Sequence, residues 1–232
     1  MRLNLFIAKS GYTSRRKADR LIKEGKVKVN RRTIYEPFMK INKTDIVEIN
    51  NQPLKPLGPI YIMFNKPKGV TTTRKDKFAR YKVIDFLPQE YKSVFPVGRL
   101  DKYSSGLLLL TNDGKLCYKL THPKFCIEKE YEVVLDGVFK LCDCKKAKRG
   151  LYDGDDFLRL DAIKVIGDVK NHKTLCQVIV HEGKKRHLRR LFGKLGFRVE
   201  EIKRIRIGKL TLGDIAPGKY KIIDKATIDR LF

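Results

Sequence analysis

The chain has 232 residues, 42% of them hydrophobic, enough for one large domain or a small and a medium one with a real core. Fifty-two Lys and Arg against 26 Asp and Glu leave a formal charge of +26, which points to a polyanionic partner, with nucleic acid the first candidate. No apolar run approaches a membrane span, Leu3 to Ala8 is too short for a signal-peptide core, and neither end carries a basic amphipathic helix with bulky apolar anchors, so no membrane partner is expected.

Leu3, Phe6 and Ile7 recur at helical spacing, and Gly11 ends that short helix. Ser14 is placed to cap a second helix that buries Ala18, Leu21 and Ile22 and stops near Gly25. Lys26 to Asn30 alternates as a strand with its valines inward, and Asp45 to Ile49 is another, closed by Asn50-Asn51. Residues 1–52 hold 13 basic and 5 acidic side chains, a net of +8. Arg15, Arg16 and Lys17 occupy the first turn of the second helix, where the helix dipole disfavours cations, and an external phosphate there would relieve the conflict. The candidate RNA contacts here are Arg2, Ser14, Arg15, Arg16, Lys17, Lys26, Lys28 and Arg31; a plain solvated basic face is the alternative.

Residues 53–59 hold three prolines and a glycine and read as a linker, which puts the domain boundaries at 1–52, 53–59 and 60–232. Tyr61 to Phe64 is a strand that turns out through Asn65-Lys66-Pro67-Lys68-Gly69. Thr71 to Tyr81 is basic and polar, either a mobile surface loop or an RNA-holding one, and Val83 to Leu87 is a short apolar segment. Val97 to Thr111 then places one acid, Asp101, between Gly98 and Gly106, with apolar strand-like runs on both sides. A rigid scaffold that presents an acid on a loop is a common way to build a site, although the same local pattern suits a turn aspartate.

A helix is predicted over Lys115 to Leu120 and a strand over Lys129 to Leu135, with Tyr131, Val133 and Leu135 on one inward face. Residues 138–150 suggest a helix, Asp153 to Asp156 a turn, and Arg159 to Val165 and Thr174 to His181 two strands. Lys185 to Leu195 is the clearest helix, with Leu188, Leu191, Phe192 and Leu195 on one face and Arg186, Arg189 and Arg190 opposite. Lys184 to Lys209 carries eleven basic and two acidic residues, a net of +9, and the arginine forks favour a polyanion. Four strand pieces (Val199–Ile202, Ile205–Ile207, Leu210–Leu212, Tyr220–Ile222) and a last helix from Asp224 follow. The five cysteines, an odd number with no Cys-x-x-Cys pair, read as free thiols in a reducing cytoplasm, and the four histidines form no ligand cluster, so no metal is expected. No nucleotide-binding glycine pattern appears, and the fold class reads as α+β with a mixed, mainly antiparallel sheet flanked by helices.

Two resemblances sharpen this reading. Arg2-Leu-Asn-Leu-Phe-Ile-Ala, Ser14-Arg-Arg-Lys-Ala and Gly25-Lys-Val-Lys-Val-Asn resemble the small RNA-binding module named after the fourth small-subunit ribosomal protein. Arg31-Arg32 stands where that module usually has Gly after the Asn, which predicts a looser turn. Gly98-Arg-Leu-Asp, with Ser104-Ser-Gly-Leu-Leu-Leu-Leu-Thr-Asn-Asp-Gly, resembles the catalytic signature of the RsuA/RluB-type pseudouridine synthases. Asn65 to Gly69, Lys129-Glu-Tyr131, Glu182 to Leu191 and Lys203 to Leu210 extend that resemblance over residues 60–223.

The resemblance implies an isomerase of ribosomal RNA, with large-subunit RNA slightly favoured over small-subunit RNA, that extrudes its uridine and needs no cofactor. It carries over Asp101 as the essential aspartate, Tyr131 as the active-site tyrosine, and Arg189 as the basic residue that pairs with the aspartate. His187 stands where the family usually has Gln. Lys66, Arg99, Arg186, Arg190 and Arg204 join the candidate RNA contacts, and ribosomal RNA or an assembling subunit is the expected partner of a monomeric, cytoplasmic protein. The competing class, a non-catalytic RNA-binding or ribosome-assembly protein, accounts for the charge but leaves an acid in an RNA groove without a use.

Overall fold

The computed structural model describes residues 1–169 and 172–232, which form two compact units, Met1–Pro59 with Pro88–Val94, and Ile60–Leu87 with Phe95–Phe232. The first unit contains α1 (Leu3–Lys9), α2 (Arg15–Lys23), β1 (Val27–Val29), β2 (Arg32–Thr33), β3 (Val47–Ile49) and β4 (Gln52–Pro53), its strands ordered β2-β1-β3-β4 and all antiparallel. The Ser14 hydroxyl accepts from the Lys17 amide at 3.4 Å and caps α2. Leu3, Ile7, Ala18, Ile22, Val27 and Val47 close a fully buried core between the helices and the sheet. Pro53 lies on an edge strand, where its missing N–H goes unused.

The looser turn expected at Arg31-Arg32 is not what forms. Val29 pairs directly with Arg32, and Asn30 (φ 50°) and Arg31 (φ 67°) make a tight two-residue turn in the left-handed region. The Asn30 side chain donates to Asp45 and accepts from the Ile46 amide, both at 2.9 Å, and those bonds hold the turn without a glycine.

The second unit is built on a nine-stranded sheet. Its elements in chain order are β5 (Tyr61–Lys66), β6 (Phe95–Pro96), β7 (Ser105–Thr111), α3 (Gly114–Thr121), β8 (Lys129–Asp136), α4 (Leu141–Arg149), β9 (Leu151–Asp153), β10 (Asp156–Leu158), β11 (Ala162–Val169), β12 (Lys173–Val180), α5 (His187–Lys194), β13 (Val199–Ile207), β14 (Leu210–Thr211), β15 (Tyr220–Ile222) and α6 (Lys225–Asp229). The strand order is β11-β12-β8-β13-β7-β5-β15, with β14 on β13, β6 on β7, and β9–β10 as a separate hairpin. Among the described residues β13–β7 is the parallel pairing; the others are antiparallel.

The Leu107–Leu110 run is wholly buried because β7 is covered on both faces. Val133, Leu135, Cys176, Val178, Leu191 and Phe192 form one core, and Tyr61, Leu107, Leu109, Leu116 and Ile207 centre the other. Asp113 caps α3 by accepting from the Lys115 and Leu116 amides at 2.9 and 3.3 Å.

Two expectations are corrected here. The turn read at Asp153 to Asp156 forms, but it joins the unexpected β9–β10 hairpin, and the strand read from Arg159 is β11, which begins only at Ala162. The two strands expected over Val199–Ile207 are one, β13, kinked by two register shifts against β8. The bulges break its alternation, so the pattern reads as two pieces. All five cysteines are free thiols, and no helix among the described residues is long and apolar enough to cross a membrane.

Candidate active site

The loop between β6 and β7 carries Asp101 on a backbone fastened on both sides. The Thr72 hydroxyl donates to the Leu100 carbonyl at 2.7 Å and accepts from the Leu100 amide at 3.3 Å. The Gly69 amide donates to the Lys102 carbonyl at 2.8 Å, and the Ser104 amide to the Asp101 carbonyl at 3.0 Å. Beneath the loop lies Lys66, with no exposed surface, its ammonium donating to the Pro67, Lys102 and Ser104 carbonyls at 3.0, 3.2 and 2.7 Å. These bonds all run to backbone, so the Asp101 side chain is left exposed and free to act.

Asp101 opens into a cavity of about 590 Å³, the size of small-ligand sites generally. Tyr131 from β8, Val180 from β12, Ile202 from β13 and the 182–189 segment leading into α5 line the rest, with Arg99 beside the aspartate. The sheet brings Tyr131 here by pairing it with Val178 on one side and Arg204 on the other. Its ring is half-buried, and the Arg204 guanidinium carbon lies 6.0 Å from its centroid. Arg99, Lys184, Lys185, Arg186 and Arg189 surround two carboxylates, Asp101 and Glu182, which suits an anionic ligand whose reacting atom must meet an acid. Arg186 sits at φ +53° just before α5, a conformation costly for a side chain of this size and typical of functional segments.

The expected pairing of Arg189 with Asp101 takes a different form. Arg189 Nη1 donates to the Val199 carbonyl at 2.8 Å, which fixes the guanidinium at the cavity wall without ion-pair contact to Asp101. Burial lowers the Arg189 guanidinium from the ordinary arginine value, Arg186 lowers it further, and the Asp101 charge opposes both through space. His187 is buried, and its Nε2 donates to the Arg159 carbonyl at 2.9 Å, so Nδ1 is the unprotonated nitrogen of a neutral ring; burial lowers its pKa and favours that form.

Three candidate RNA contacts are corrected. Arg204 is 3% exposed, and its Nε donates to the Leu107 carbonyl at 2.7 Å, so it braces β13 against β7. Arg190 is spent on Asp153 and Asp156, at 2.5 and 2.7 Å. Lys66 holds the Asp101 loop from below and presents nothing to an external phosphate. Arg99 and Arg186 are exposed at the cavity. The others belong to the first unit. Arg15, Arg16, Lys17 and Arg31 are exposed, Arg2 lies 5.5 Å from the Phe38 ring, Lys26 pairs with Glu24 at 2.8 Å, and Lys28 donates to Asn51 at 3.1 Å. Thr72 was not legible as a site residue, because nothing in its neighbours marks a threonine that binds both sides of a residue 28 positions away.

The buried clamp has a testable consequence. Lys66→Met leaves three carbonyl oxygens without their donor, at about 1–3 kcal/mol for each acceptor left unpaired, partly offset by removing a buried charge. Turnover is expected to fall at least about tenfold while RNA affinity holds, since the ammonium never faces solvent. Burial pushes the Lys66 ammonium down to about 8, against the opposing Asp101 charge. The folded value lies below the ordinary 10.5, so the penalty for the buried charge applies below pH 8 and fades as pH rises. Between about pH 8 and 9 turnover should therefore decline with no loss of melting temperature from this group, checked by a paired rate and melting profile.

The family model described as RNA pseudouridylate synthase matches residues 60–194, and that of the S4 domain matches residues 1–47. A protein of Aquifex aeolicus named as an uncharacterized RNA pseudouridine synthase is 36% identical over 234 residues, covering 100% of this chain and 94% of the relative. The ribosomal large subunit pseudouridine synthase B of Bacillus subtilis is 36% identical over 231 residues, covering 99% and 95%. A crystal structure of a pseudouridylate synthase superposes over 100% of both chains with a TM-score of 0.68 and 26% identity.

Proposed function

The chain belongs to the RNA pseudouridylate synthase family, with an S4 domain at its N-terminus, and from that membership we propose that it isomerises one uridine of large-subunit ribosomal RNA. The observation that carries the chemistry is Asp101, an exposed carboxylate on a backbone clamped at Leu100, Asp101, Lys102 and Ser104, inside a cavity whose charged lining is five cations and one other acid, Glu182.

The target uridine leaves its stack and enters the cavity. Asp101 then acts at the sugar, either by attack on the anomeric carbon or by taking a sugar proton. The bond from that carbon to ring nitrogen 1 breaks, the uracil turns, and ring carbon 5 bonds to the sugar. Carbon 5 loses its proton and nitrogen 1 gains one, so the atoms balance and nothing is oxidised. Tyr131 stacks on the uracil and its hydroxyl takes part in moving the carbon-5 proton. Arg189 presents its positive charge toward Asp101 through space from the cavity wall, and Arg99 and Arg186 hold phosphates of the extruded nucleotide.

Functionally the chain divides into an RNA-holding module at 1–52, a connector at 53–59 and a catalytic domain at 60–232. Arg2, Ser14, Arg15, Arg16, Lys17, Lys26, Lys28 and Arg31 anchor the RNA on the module, by phosphate contacts at the N-terminus of α2 and along its basic surface. The protein acts as a monomer in the cytoplasm on ribosomal RNA or an assembling subunit. The test is tritium release from transcripts labelled at uridine carbon 5. Release approaching one tritium per large-subunit transcript, and none from small-subunit RNA, is expected. Release from the small-subunit transcript alone would reverse the subunit choice, and release from neither would remove free ribosomal RNA as the substrate.

A further inference from the structure

Next to the Asp101 loop stands a second loop that the chemistry above does not use. Its root is closed: the Thr71 amide donates to the Tyr81 carbonyl at 3.0 Å and the Val83 amide to the Thr71 carbonyl at 3.1 Å. Thr72, 3% exposed, joins that root to Leu100 by hydrogen bonds of 2.7 and 3.3 Å. The loop is therefore bound to the residue immediately before Asp101.

Beyond the root the chain turns outward. Asp76 accepts from the Phe78 amide at 2.9 Å and shapes the tip. Phe78 is 98% exposed, the most exposed large apolar side chain among the described residues. Burying a phenylalanine is worth more than burying almost any other side chain, and here none of that gain is realised within the chain. Exposed Lys75, Lys77 and Arg80 flank it, and half-exposed Tyr81 closes the loop with the Arg80 guanidinium carbon 5.3 Å from its ring centroid. An aromatic face among cations fits an unpaired nucleobase with its phosphates: the ring stacks, and the cations take the backbone. A protein hot spot would instead set such a ring in a surface depleted of lysine.

We propose that the 73–80 loop is an RNA clamp, and that Phe78 stacks on an unpaired base flanking the extruded uridine and so holds the opened strand beside Asp101. This rests on the reading that the cavity takes a flipped uridine. Because Phe78 is 98% exposed and its bond to Asp76 runs through the backbone amide, its substitution spares the fold, which a melting curve checks.

The experiment compares the full-length wild type, Phe78→Ala and Phe78→Trp on two probes. One is a single-stranded 12-residue oligouridylate with a central 2-aminopurine. The other is large-subunit ribosomal RNA labelled at uridine carbon 5. Stacking quenches 2-aminopurine, so the wild type and Phe78→Trp are expected to quench it. Phe78→Ala should lose the quench and about five- to 150-fold in affinity for the oligonucleotide, the range for one base–aromatic stack. Its kcat/KM on the ribosomal RNA should fall by a similar factor. Unchanged quenching, affinity and kcat/KM in Phe78→Ala would overturn the clamp. So would RNA binding that survives while binding to a ribosomal particle is lost, since that result assigns the loop to a protein. If the wild type releases no tritium but Phe78→Ala still loses the quench, the clamp stands and the proposed reaction fails.

Discussion

Asp101→Asn is expected to form no measurable pseudouridine while it folds and binds RNA as the wild type does. The substitution keeps the shape of the side chain and removes its charge and basicity. The loop does not depend on that side chain, because Thr72, Gly69 and Lys66 hold it through the backbone of Leu100, Lys102 and Ser104. Losing a positioned base alone costs about 10²–10⁴ in rate, and losing a nucleophile that forms the intermediate costs more. RNA affinity should hold or tighten slightly, since one negative charge leaves a cavity lined by Arg99, Lys184, Lys185, Arg186 and Arg189. Tritium release, a gel-shift titration and a melting curve on one preparation separate these effects. Turnover above about 1% of wild type would remove Asp101 from the reaction.

Gly106→Ala is expected to be the most damaging single change to the fold. Gly106 has φ +100° and lies where β7 meets β13 in parallel. An added Cβ would stand 2.2 Å from the Arg204 carbonyl oxygen and 2.6 Å from its nitrogen, both backbone atoms of a central strand. Neither can move without breaking the seam that Arg204 braces through Leu107. A loss of more than about 4 kcal/mol, or no folded protein at all, follows. Gly69→Ala is the control. Its φ is +86°, but nothing lies within 4 Å of the new Cβ, so only the conformational penalty of about 1–2 kcal/mol is expected. Urea titration of both variants checks the contrast.

Much of the fold was legible because hydrophobic spacing records which face each element buries. Leu188, Leu191 and Phe192 mark α5, the valines of Lys26 to Asn30 mark β1, and Leu107 to Leu110 announce a strand covered on both sides. The pattern failed where that record is broken. The bulges in β13 shift its inward face twice, and the three-residue strands of the β9–β10 hairpin are too short to show a period. At the site, Asp101, Tyr131 and Arg189 were named from motif resemblance, and all three line one cavity. What each positive charge does was not legible, because charge in a sequence says nothing of burial. Arg204 and Lys66 are as cationic as Arg99, yet backbone carbonyls consume them inside the fold, and two aspartates consume Arg190. The tie from Thr72 to Leu100 spans two segments far apart in the chain, and only the folded sheet brings them together.

The most direct test is to map pseudouridine across all ribosomal RNA in cells carrying the wild-type gene, no gene, or the Asp101→Asn gene. One large-subunit position present in the first strain and missing from both others is the expected result. It would name the nucleotide and establish the aspartate together. A map identical in all three strains, or a site that persists with Asp101→Asn, would contradict an Asp101-dependent synthase of ribosomal RNA.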